Sequence, residues 1–95
     1  MNGWRVILSK TARRDFRQLE DGPKQAATEL LEDLAEDPAL TPASELRGYA
    51  GYFKARFHHD LYRMVYQIAK NQRRILVTRI RPRPIAYQGM KHGSR

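Results

Sequence analysis

The chain has 95 residues, 41% hydrophobic and 29% charged, with a net charge of +8; that is one small globular domain over residues 1–95, too apolar to be disordered. It has no cysteine, which excludes disulfides, thiol catalysis and cysteine-based zinc sites, and three histidines, two of them adjacent, argue against a metal or other cofactor. No apolar run reaches the ~18 residues of a membrane helix and Met1-Asn2-Gly3-Trp4 begins no signal peptide, so the expectation is a cytoplasmic protein with no membrane partner.

Trp4 to Leu8 is a short β-type run, and Ser9 or Thr11 can cap a helix after it. Ala12, Phe16 and Leu19 then recur at helical spacing. Asp21-Gly22-Pro23 breaks that helix and starts another, whose apolar stripe is Ala27, Leu30, Leu31 and Leu34 and whose wet face is acidic. Asp37-Pro38 ends it, and residues 38–45 read as a loop with two prolines.

Beyond Leu46-Arg47-Gly48 the period changes to two. Tyr52 to Phe57 alternates, His58-His59-Asp60 turns, Leu61 to Ile68 is a strand, residues 70–72 turn again, and Arg74 to Arg81 is the last strand, closed by Pro82 and Pro84. The predicted order is β-α-α-β-β-β. This is an α+β domain, a helical hairpin packed on one face of an antiparallel-rich sheet. The expected core is Phe16, Leu19, Leu30, Leu34, Phe53, Phe57, Met64, Ile68 and Ile80.

The charge is unevenly placed. Residues 1–46 carry six basic and nine acidic side chains, a net −3; residues 47–95 carry twelve basic and one acidic, a net +11. Such a concentration on a folded stretch points to a polyanion partner, nucleic acid first. Alternation along the strands gathers Lys54, Arg56, Arg63, Arg79 and Arg81 on the face opposite the helices. The same alternation puts Leu76, Thr78 and Ile80 on the helix side, and Ile75 and Val77 with the cations. Like charges on neighbouring strands repel, so five of them together need a reason, and phosphates supply one. His58 and His59 read as solvated turn residues, and Tyr49, Tyr52, Tyr62 and Tyr66 as core or rim. A DNA-binding module is disfavoured, because the cations lie on strands and the helices read as acidic outside.

The opening strand, the Ser9-Lys10-Thr11-Ala12 helix start, Leu46-Arg47-Gly48, Tyr62-Arg63-Met64-Val65-Tyr66 and a last basic strand followed by Tyr87 together resemble the RelE/ParE toxin superfamily, most closely its RelE branch. The resemblance covers nearly the whole chain. It implies a toxin of a type II toxin–antitoxin system: a metal-independent, ribosome-dependent mRNA endoribonuclease that inhibits translation. It implies a cognate antitoxin, the ribosome and mRNA as partners, and a toxin–antitoxin hetero-oligomer that binds operator DNA. The positions it makes catalytic are Lys54, Arg56, Arg63, Arg81 and Tyr87, with Arg83 as a further phosphate contact; Arg47 and Arg79 join it from the same basic stretch. Lys54 is assigned as base, Arg56 and Arg63 as phosphate clamps, Arg81 as the leaving-group stabiliser or acid, and Tyr87 as the ring that stacks on a nucleotide. The alternative is a ParE-like, non-enzymatic toxin that binds and poisons DNA gyrase.

Overall fold

The computed structural model describes residues 3–90. Strand β1 (Arg5–Leu8) leads into helix α1 (Lys10–Arg17), which Ser9 caps by accepting a hydrogen bond from the Ala12 amide at 3.1 Å. Helix α2 (Asp21–Glu36) follows after a short break, with Pro23 in its first turn, where no intrahelical N–H is lost. Asp37, extended at φ −165°, precedes Pro38 and ends the helix, its carboxylate accepting from the Ala39 amide at 3.0 Å.

Three longer strands complete the domain: β3 (Tyr52–Phe57), β4 (Tyr62–Ala69) and β5 (Arg74–Pro82). A two-residue strand, β2 (Ser44–Glu45), pairs antiparallel with Phe53 and Lys54 in the stretch expected to be loop. Two residues after a proline carry no periodic signal, so the pairing is set by the neighbour and not by local propensity. The sheet order is β1-β5-β4-β3-β2, antiparallel except for the parallel β1–β5 pair. The expected α+β hairpin-on-sheet arrangement holds.

The helices cover one sheet face. Leu19, Leu30, Leu34, Phe57, Met64 and Ile80 are buried in a single cluster, with Phe16, Phe53 and Ile68 packed against it, as the periodicity predicts. The last strand departs from simple alternation. Val65 is opposite Arg79 but Tyr66 is opposite Val77, which leaves Thr78 as the extra residue of a β-bulge. Ile75 and Val77, expected with the cations, are therefore fully buried in the helix-side cluster, whereas Leu76 and Thr78 are only half-buried. One extra residue reverses the parity, so Ile80 also points into the core and Arg79 and Arg81 are released from it.

The bulge is stitched in place. The Thr78 hydroxyl donates to the Val65 carbonyl at 3.2 Å, while the Thr78 carbonyl accepts from the Ser9 hydroxyl at 3.4 Å. The Ser9 amide donates to the Val77 carbonyl at 2.9 Å. Ser9 thus starts α1 and fixes the irregular turn of β5 at once.

Candidate nucleic-acid interface

The face opposite the helices is not bare. Val65, which points to that side, is fully buried, and Leu46 and Ala86 are buried outside the helix-side cluster. The chain after β5 folds back as a 3-10 turn over Arg83–Ile85, tied by the Arg83 amide to the Leu61 carbonyl at 2.9 Å, and carries Ala86 and Tyr87 over the sheet. Arg79 holds this segment by donating from one terminal nitrogen to the Ala86 carbonyl (3.4 Å) and to the Gln88 carbonyl. Burial, and then the neighbouring Arg81 guanidinium, lower the Arg79 pKa from its ordinary value.

Tyr87 reaches the site. Its ring lies over the Lys54 ammonium, with 5.8 Å from Nζ to the ring centroid. Lys54, Arg56 and Arg63 line a groove of about 350 Å³ whose far wall is Pro42, Ala43 and Ser44, the approach to β2. The unforeseen strand β2 is therefore what turns a flat sheet edge into a groove.

The basic residues of the sheet divide by their partners. Arg63 is almost wholly buried, and its Nη1 donates to the Asp60 carboxylate at 3.0 Å and to the Asp60 and Tyr62 carbonyls. Arg56, whose side chain is 73% exposed, approaches the same carboxylate at 3.6 Å. Asp60 sits in a turn where His58, His59 and Asp60 all take positive φ (52°, 59° and 67°), a left-handed turn that non-glycine residues rarely form. His58 packs edge-on to Tyr62, ring centroids 5.8 Å apart, and both histidines serve the turn.

Arg81 does not join the groove. Its Nε donates to Asp15 Oδ2 at 2.9 Å, and the same oxygen accepts from the Ile80 amide at 3.2 Å. Beyond Val77 the edge of β5 has no strand beside it, because β1 ends at Leu8. Asp15 of α1 satisfies that open edge and draws Arg81 to it. The register keeps Arg81 on the face of Arg63, its neighbour on β4, but its side chain turns to Asp15 at the edge: Lys54, Arg56, Arg63 and Tyr87 are brought together, Arg79 and Arg81 are engaged beside them, and Arg47 and Arg83 lie exposed in the flanking turns.

Asp15, Asp60 and Ser44 carry the site's architecture and were not singled out by the sequence. Asp15 had a signal: on a helical wheel it falls at the border of the apolar face, where an acid is out of place without a partner. Tyr49, read as core or rim, is half-buried in the turn before β3, its ring edge-on to that of Tyr52 with centroids 6.4 Å apart. Among the described residues no three His, Asp or Glu side chains converge as metal ligands, and no helix is long and apolar enough to cross a membrane.

A family model described as the ParE toxin of type II toxin–antitoxin systems, parDE, matches residues 6–87. The chain belongs to this toxin family. Among solved structures it is similar to a RelBE toxin–antitoxin complex from Mycobacterium tuberculosis, at 28% identity and TM-score 0.72 over 85% of this chain and 99% of that one. The isolated RelE toxin of E. coli matches at 20% identity and TM-score 0.72 over 83% of each chain. The archaeal RelE–RelB complex of Pyrococcus horikoshii OT3 matches at 20% identity and TM-score 0.69, covering 88% of this chain and 99% of that one. No curated protein matches the chain. The toxin is thus a type II toxin of the RelE/ParE superfamily, with the superfamily's α+β fold.

Proposed function

We propose that this toxin is a ribosome-dependent mRNA endoribonuclease of the RelE type, neutralised by a cognate antitoxin. The observation that carries the reading is the groove of Lys54, Arg56 and Arg63 with the Tyr87 ring over the lysine ammonium. A surface that only grips a protein does not need a lysine, two arginines and an aromatic ring converging on a cleft of nucleotide size.

RNA carries its own nucleophile. The 2′-OH has only to be aligned in line with the phosphorus, lose a proton, and have the extra negative charge of the transition state stabilised. Lys54, as the neutral amine, is the base in this reading and takes that proton. Arg56, exposed and only loosely paired, is free to turn onto a phosphate oxygen, whereas Arg63, locked by Asp60, supplies a fixed positive field under the groove. Tyr87 stacks on the splayed base, a contact worth ~1–3 kcal/mol. Arg81, held by Asp15 at the strand edge, contributes charge from one side unless substrate draws it off the carboxylate. The 2′-O–P bond forms as the P–O5′ bond breaks, and the departing 5′ oxygen takes a proton from water, which leaves a 2′,3′-cyclic phosphate and a 5′-hydroxyl. The antitoxin partner is supported by the similar RelBE and RelE–RelB structures, which are toxin–antitoxin complexes; such a complex on operator DNA belongs to the same reading.

The matching family model is named for ParE, and it favours a second reading, a gyrase poison. Primer-extension mapping of cellular mRNA after induction separates the two. Cuts confined to translated frames are expected. Uncut mRNA together with disturbed DNA supercoiling establishes the gyrase reading instead.

A further inference from the structure

The outer face of α1 is a patch of another kind. Lys10, Arg13, Arg14 and Arg17 recur at i, i+3, i+4 and i+7, which puts four cations within an arc of about 100° on one side of the helix. All four are exposed. The helix's one acid, Asp15, is 8% exposed and turned to Ile80 and Arg81, so nothing on α1 balances them. Among the described residues, Arg13 contacts the Leu8 carbonyl at 3.0 Å, and Lys10, Arg14 and Arg17 enter no hydrogen bond or ion pair. The net −3 of residues 1–46 conceals this face, because five of the nine acids lie on α2.

We propose that this face of α1 is a second nucleic-acid surface, separate from the groove, that takes the phosphate backbone of duplex RNA. The apolar side of α1, Ala12 and Phe16, is spent on the core, and the exposed residues beside the four cations are Thr11 and Gln18. A membrane-surface helix needs a free apolar face to insert, and a stable protein interface needs a desolvated apolar centre. The face itself has neither, for the apolar hollow that Arg14 borders, lined by Leu19, Tyr62, Ile80, Pro82 and Ile85, lies to its β5 side; that leaves a partner recognised by charge. The stripe is rigid and about 10 Å long at 1.5 Å per residue. It faces several phosphates of a duplex, whose backbone is already ordered, whereas a single strand would first have to be ordered along it. The proposal does not depend on whether the groove cleaves RNA.

The test uses the full chain and a generic RNA duplex of about 16 bp, with anisotropy followed across a salt series. The triple variant Lys10→Gln/Arg14→Gln/Arg17→Gln touches no internal contact, and its circular dichroism spectrum should match the parent's. It should weaken duplex binding about tenfold or more at low salt and reduce the slope of log K against log salt by about 2–3, one counterion per lost contact. A charge-matched variant, Arg5→Gln/Lys70→Gln/Arg74→Gln, should leave that slope nearly unchanged. Equal weakening by both variants overturns the proposal, since bulk charge would then account for binding. Duplex affinity untouched by the α1 changes also overturns it, whether what is lost is binding to anionic phosphatidylserine vesicles, to a polyglutamate peptide, or to neither. A parent protein that binds the duplex through α1 but leaves mRNA uncut tells against the groove chemistry alone.

Discussion

The cations of the sheet and those of α1 have opposite relations to the rest of the chain. On the sheet, Arg63 is held by Asp60, Arg81 by Asp15 and Arg79 by the carbonyls of residues 86 and 88. On α1, three of four cations have no hydrogen-bond or ion-pair partner among the described residues. Positive charge alone therefore does not locate a site. A guanidinium with a carboxylate at 2.9–3.0 Å is part of the architecture, and it positions its neighbours. A cation without such a partner has its hydrogen-bonding capacity left for something outside.

The largest expected effect falls on Lys54, the groove cation that meets the Tyr87 ring and, among the described residues, no acid. Lys54→Ala should lower mRNA cleavage by about a hundred- to a thousand-fold, the usual result of losing one transition-state contact, with the urea midpoint unchanged. Lys54→Arg should not restore it, because a guanidinium does not readily accept a proton. Retained cleavage in either variant would move the base elsewhere in the groove.

Next is the pair at the strand edge. Asp15→Ala should destabilise the fold by about 2–3 kcal/mol in urea unfolding, since it leaves the Ile80 amide and Arg81 without their acceptor. The loss should fall as Arg81 turns to water, so a cost under ~0.5 kcal/mol would mean that the partner distinction is not energetic. Arg79→Ala should cost less, about 1–2 kcal/mol. Its clearer sign is faster amide exchange in residues 84–90 and weakened Tyr87 stacking, while Lys10 and Arg17 variants leave that segment protected.

How much of this could be read from the sequence follows the same division. The helix faces, the β3 alternation and the placing of Lys54 opposite Phe53 came from periodicity alone, which is sound wherever one face is buried. The Thr78 bulge did not, because Ile75, Val77, Arg79 and Arg81 share one parity, and only an extra unpaired residue can bury the first two and release the last two. The pairing of Arg81 with Asp15 spans 66 positions in the chain and leaves no local trace. Nor did half-chain charge sums show the face of α1, because they added its cations to the acids of α2.

The smallest expected effect is at the turn that carries Asp60. His59→Gly removes a side chain from a left-handed position (φ 59°) and should raise Tm by a few degrees at most, against the entropy glycine adds to the unfolded chain. Cleavage should not change. A drop in cleavage would show that the histidine pair takes part in the chemistry and does not merely shape the turn.

The measurement that bears most directly on the groove is the chemistry of the cut ends. A defined mRNA translated in a purified system is treated with the toxin, and the ends at each cut are identified. Attack by the RNA's own 2′-OH beside Lys54 predicts a 2′,3′-cyclic phosphate upstream and a 5′-hydroxyl downstream, with cutting slowed about a hundred- to a thousand-fold in Lys54→Ala. A 3′-hydroxyl with a 5′-phosphate, which requires water as nucleophile, or an intact message alongside inhibited gyrase, would contradict it.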